Sequence, residues 1–147
     1  MSVPKRFHEG SILIPDPWSD DTLTVLKAPD HEGHNLVISR EPLPTGVDVL
    51  THLDAQRFVI ASTLTEFSES GRQTLTIHGQ VCILLEYSWR SPEGAMFQAN
   101  LMRSVGDTMV SFTFTSARPF TAHQRREIMA ILASFTPAPE MEVSARP

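Results

Sequence analysis

Two histidines three residues apart, His31 and His34, with Asp30 and Glu32 beside them, are the side chains in this sequence that come closest to a metal-binding set. A bound cation needs a fixed geometry and a third or fourth ligand, and a polar loop of this spacing nominates neither. The pair therefore reads as solvated turn residues. Cys82 lies between Val81 and Ile83, where a thiol behaves as a small hydrophobe. A nucleophilic cysteine would need a neighbouring base, and none is nominated. Asp20 and Asp21 are adjacent in a loop, which reads as solvent-exposed acid and not as a catalytic pair. The sequence has no G-x-S-x-G, no Walker glycine loop and no G-x-G-x-x-G; its glycines fall singly at turns. The expectation is a protein that is not an enzyme and holds no cofactor or metal.

Composition narrows the remaining classes. With 147 residues and a 16.4 kDa mass there is room for one domain, expected over residues 1–136, with 137–147 as a loose tail of Pro, Ala and Glu. Hydrophobic residues at 41% and charged residues at 20% are those of a folding chain, not a disordered one. A net charge of -5, with 12 scattered Lys and Arg, argues against a nucleic-acid partner, because binding phosphate needs clustered positive charge. One cysteine forms no internal disulfide, so cytoplasmic localisation is expected. Lys5 and Arg6 are followed by Phe7, His8, Glu9 and Gly10 instead of an apolar export segment. The longest apolar runs, at 58–61 and 81–85, fall far short of the ~18–20 residues that span a bilayer, so no direct membrane anchoring is expected.

The elements that would position a surface site are legible from punctuation and period. Segments 7–14, 22–27 and 36–41 read as three strands, stopped by Pro15 and Pro17, by Pro29, and by Pro42 and Pro44. Asp48 is placed to cap a helix over 49–64, with Val49, Leu53, Ile60 and Leu64 as its stripe and Leu50, Phe58 and Ala61 widening it. The strands expected next are 67–77, 80–90, 96–105 and 108–116, separated by His78-Gly79, by Ser91 to Gly94, and by Gly106-Asp107. Thr121 and Gln124 match a capping box, and Ile128, Ile131, Leu132 and Phe135 recur at helical spacing after it. The fold class is α+β: a twisted antiparallel sheet of about six or seven strands with two main helices.

Two helices can cover one face of such a sheet, and the other must meet water, a second copy or a partner. Over 96–105, Phe97, Ala99, Leu101 and Val105 share one face with Arg103, while Met96, Gln98, Asn100, Met102 and Ser104 share the other. The second set is neither charged nor oily. Asn35, Val37 and Ser39 alternate with Leu36, Ile38 and Arg40, and Leu23 with Val25 alternates with Thr22, Thr24 and Leu26. Such residues suit either a solvated β face or a mildly apolar surface able to receive apolar segments.

The strings Phe67-Ser68-Glu69-Ser70-Gly71, Leu85-Glu86-Tyr87 and Val105-Gly106-Asp107 belong to an order of elements that also includes the Gln98-centred strand, the Thr-rich strand to Thr115 and the closing helix. Together they resemble the DcrB-like family over nearly the whole chain to Phe135. That family adopts the Mog1/PsbP-like fold. Within it, the chain looks most like the Eag chaperones of bacterial type VI secretion, whereas DcrB itself is an exported lipoprotein. The resemblance implies a homodimer with a concave surface that cradles the hydrophobic N-terminal transmembrane segments of a secreted effector until loading on the spike. The partner-binding residues expected on this basis are Leu23, Val25, Asn35, Val37, Ser39, Gln56 and Gln98, with Gln56 assigned from the family architecture alone. The alternative is a non-catalytic Mog1-like binding module for a folded soluble protein.

Overall fold

The structure is a computed structural model, and it describes residues 2–16, 18–19, 21–29, 33–43 and 46–138. The chain order is β1 (Ser2–Phe7), β2 (Gly10–Pro15), β3 (Thr24–Lys27), β4 (His34–Pro42), α1 (Val49–Thr63), β5 (Ser68–Ile77), β6 (Gln80–Ser91), β7 (Gly94–Val105), β8 (Thr108–Ser116) and α2 (Ala122–Ala133). Six strands form one antiparallel sheet in the order β3-β4-β8-β7-β6-β5, and β1 pairs only with β2. The α+β class with a six-stranded antiparallel sheet and two helices agrees with the expectation. The first 41 residues differ: the single strand expected at 7–14 is a hairpin whose turn is His8-Glu9, so this region holds four strands instead of three.

Local chemistry accounts for the joints. His78 and Gly79 both have positive φ, 47° and 82°, the conformation that joins twisted strands through two residues. Thr51 donates its amide to Asp48 Oδ1 at 2.8 Å, which caps α1 and holds the carboxyl below its ordinary range. Thr121 and Gln124 bond reciprocally at the start of α2, forming the capping box.

The helices lie on opposite faces. Paired residues in an antiparallel ladder project the same way, so Leu36 with Phe114, Ile38 with Phe112, and Leu84 with Leu101 define one face. There Ile128 and Leu132 of α2 close a continuous core with Leu36, Ala99, Leu101, Phe112 and Phe114. The bidentate pair from Arg125 to Glu86, at 3.1 and 2.7 Å, ties α2 to β6. His34 Nε2, 3.3 Å from Glu127, ties it to β4. His34 is thus a buried strut and not the solvated turn residue expected, while its companion His31 lies outside the described residues, as do Asp20, Asp30 and Glu32. Arg103, also buried, donates to the carbonyls of Ile77, Ser104 and His78 and lies over the Phe135 ring. Pro137 is buried, and 139–147 lie outside the described residues.

The second face carries a smaller cluster, in which Leu53 of α1 meets Met102 and Met109 with Leu43 and Ile83 at its edge. Of the broad apolar stripe expected on α1, Leu53 is buried, Ile60 and Leu64 are half-buried, and Leu50, Phe58 and Ala61 are exposed; the Val49 side chain lies outside the described residues. Polar contacts hold the helix instead, with His52 Nε2 3.0 Å from Glu41 on β4 and an ion pair from Arg57 Nε to Glu69 on β5 at 2.7 Å.

Candidate functional site

Register determines what the second face presents beyond α1. Val25 pairs with Val37, Val37 with Thr113, Asn35 with Thr115, Thr115 with Gln98, and Ser39 with Ser111. Five of the seven residues expected at a partner surface therefore share one face of four adjacent strands. Gln56 joins them from α1, where it lines a groove of about 350 Å³ with Ser39, Ile60, Asn100, Ser111 and Thr113. Leu23 lies one residue before β3, outside the paired register, and is exposed.

The floor of this surface is polar, uncharged and largely self-satisfied. Trp89 Nε1 donates to Gln98 Oε1 at 2.8 Å, and Gln98 Nε2 donates to Thr115 Oγ1 at 3.0 Å. Asn100 Nδ2 donates to Ser111 Oγ at 2.8 Å and to Thr113 Oγ1 at 2.9 Å. With both amides engaged across β6, β7 and β8, an apolar surface laid over them would not strip them of partners. Asn35 is the exception: its Oδ1 is buried with no hydrogen-bond partner. Tyr87 backs the groove, packs on Phe67 with ring centroids 5.3 Å apart, and is pushed by burial up to about 12. Charge stands at the margins, in the His52–Glu41 contact at one end and Lys27, paired with Asn35, at the other.

Ser111, Thr113 and Thr115 were not among the expected partner-surface residues. Their alternation with Val110, Phe112 and Phe114 signals a shared face, but nothing local places β8 between β4 and β7. Catalytic chemistry finds little here. Among the described residues no group of three or more His, Cys, Asp and Glu side chains could hold a metal ion. Cys82 is buried with its thiol pushed up by desolvation, the opposite of an activated nucleophile. No described helix is long and apolar enough to cross a membrane.

The family model for DcrB matches residues 9–134. A Pseudomonas aeruginosa protein described as "Effector EagT6" is 28% identical over 88 residues, 58% of this chain and 61% of that protein, so the chain spans about three-fifths of that relative's length. A crystal structure of a protein of unknown function, PA94, also from Pseudomonas aeruginosa, superposes with a TM-score of 0.74 at 21% identity. It covers 94% of this chain and 98% of that one, a likeness of fold. The solution structure of PsbP from the cyanobacterium Synechocystis sp. PCC 6803 aligns with a TM-score of 0.47 at 11% identity, over 83% of this chain and 80% of that one.

Proposed function

The chain belongs to the DcrB family, and from that premise we propose that it is a cytoplasmic, non-catalytic chaperone for a type VI secretion effector. As a homodimer, it binds and shields the hydrophobic N-terminal transmembrane segments of that effector before loading on the spike. The observation that carries this reading is the uncovered half of the second sheet face, where Val25, Asn35, Val37, Ser39 and Gln98 lie together beside Gln56. A transmembrane helix in water exposes apolar area at roughly 25 cal/mol per Å², and a carrier must cover it without binding irreversibly. A surface of valines interleaved with hydrogen-bonded amides and hydroxyls offers contact without burying charge. The likeness to "Effector EagT6" supports the effector association.

The test is co-expression of the chain with an effector fragment carrying its hydrophobic segments, scored by soluble fragment recovered. Val37 is half-buried at the centre of the face, so Val37→Gln is expected to reduce recovery and Val37→Glu to abolish it. The glutamate costs on the order of 1–3 kcal/mol or more against an apolar helix. Thermal midpoints of the free variants are expected to stay near the parent's. Undiminished recovery with Val37→Glu would overturn the site, and co-purification of a folded soluble protein in place of the effector would favour the binding-module reading.

A further inference from the structure

A buried amide in the groove beside α1 is short of one hydrogen-bond partner. Asn100 on β7 lines this groove and is 5% exposed. Both hydrogens of its nitrogen are spent, on Ser111 Oγ and on Thr113 Oγ1 of β8, and no described residue donates to its Oδ1. That oxygen is not sealed off as the Asn35 oxygen is, so the groove is its outlet. Ser111 and Thr113 line the groove as well, and each has a hydroxyl hydrogen for which no described residue supplies an acceptor. One acceptor and two donors, none of them charged, therefore stand together on adjacent strands.

A hydroxyl is the small group that answers this set, because its hydrogen donates to Asn100 Oδ1 while its oxygen accepts from Ser111 or Thr113. A methyl laid in the same place leaves the amide nitrogen's bonds intact but shuts water away from the oxygen, and a buried acceptor without a partner is costly. A cationic donor fits poorly. The charged residues that line the groove are already engaged, Arg40 with the Thr22 carbonyl and Thr24 Oγ1 at 3.2 Å each, and Glu41 with His52 at 3.0 Å. An ammonium in the uncharged interior would lose its water without gaining a free counter-ion. The backbone N–H groups of a helix are spent inside the helix, so the donor must come from a side chain. Serine and threonine supply it on an apolar helix, where the hydroxyl bonds back to the preceding turn or across to a neighbouring element.

We propose that this groove is a specificity subsite for a serine or threonine in the client's apolar helix, with Asn100 Oδ1 as acceptor and the Ser111 and Thr113 hydroxyls as donors. The assignment rests on the chaperone reading. The probes are two lysine-flanked helical peptides of about twenty leucines and alanines. One carries a central serine and the other 2-aminobutyrate, which puts a methyl where the hydroxyl was. Fluorescence anisotropy of the labelled peptides with the full chain is expected to show the serine peptide bound about five- to tenfold more tightly. Asn100→Leu is expected to bring the two affinities within about twofold of each other. Ser111→Ala combined with Thr113→Val leaves Asn100 in place and is expected to shrink the preference as well, which covers a loss of folding in Asn100→Leu. Equal binding of the two peptides by the parent, or a full serine preference in either folded variant, would overturn the subsite and leave the client face standing. Failure of the parent to bind either peptide would end the chaperone reading and the subsite with it.

Discussion

The two faces of the sheet use the same strands for opposite ends. On the α2 side, Leu36, Ala99, Leu101, Phe112 and Phe114 are nearly inaccessible, and the helix is anchored to β4 and β6 by His34–Glu127 and Glu86–Arg125. On the α1 side, one buried leucine and two polar contacts seat the helix, and beyond it buried Leu85 and Tyr87 and the valines Val25 and Val37 share the face with a lattice of amides and hydroxyls. A β strand assigns alternate residues to the two faces, so Phe112 and Phe114 serve the core under α2 while Thr113 between them, half-buried, faces the other side. Stability and the proposed binding are thereby separable at a spacing of one residue.

The largest test of that separation is on β8. Phe114, 1% exposed, is expected to cost about 3–5 kcal/mol when changed to alanine, whereas the neighbouring Thr113→Ala is expected to cost about 1 kcal/mol. Urea unfolding of the two variants measures both. Comparable losses would mean that the second face is as much a core as the first.

This division was legible wherever period alone decides it. Over 96–105 and 108–116 the alternation separated Phe97, Ala99 and Leu101 from Gln98 and Asn100, and Phe112 and Phe114 from Thr113, and the structure keeps those sets on opposite faces. Helical spacing was less informative on α1, because its apolar residues run around much of the helix and only contact with Met102 and Met109 selects Leu53. Phe58 is 75% exposed for that reason. The hairpin was hidden because His8-Glu9 carries no marked turn residue and Pro4 argues against a strand at 2–7. The His34 strut joins residues some ninety positions from α2, and no local pattern encodes it.

A smaller effect is expected at Tyr87, where burial holds the phenol neutral up to about 12 against an ordinary value of 10. The folded state keeps this proton where the unfolded chain has lost it. The contribution is therefore complete below pH 10 and falls as pH rises from 10 to 12, by up to ~2–3 kcal/mol. Tyr87 is the one tyrosine in the sequence, so ultraviolet titration of the native protein reads it directly. Tyr87→Phe is expected to flatten the stability slope above pH 10. The Cys82 thiol is also pushed up by burial and contributes a decline of the same sign, which Cys82→Ser separates. A tyrosinate signal appearing near pH 10 in the folded protein would show that the groove side of Tyr87 is open to water.

The smallest expected change has the opposite sign and comes from the residue where the two faces' rules conflict. Asn35 belongs to the second face by register, yet its Oδ1 is as buried as an atom of the core and has no partner. A buried polar atom without a hydrogen bond costs more than an apolar group of similar shape, so Asn35→Leu is expected to raise the stability of the free protein by about 1 kcal/mol. Urea midpoints at constant slope measure this. Fragment recovery tells what the cost is for. If the amide serves the client, the more stable variant is expected to recover less effector fragment, in contrast to Phe114→Ala, where stability and recovery fall together. Increased stability with unchanged recovery would place Asn35 outside the contact and leave Val37, Ser39 and Gln98 as the β4 to β7 part of the surface. A loss of stability would show that water or a neighbouring hydroxyl already satisfies the amide, making this position a polar extension of the core.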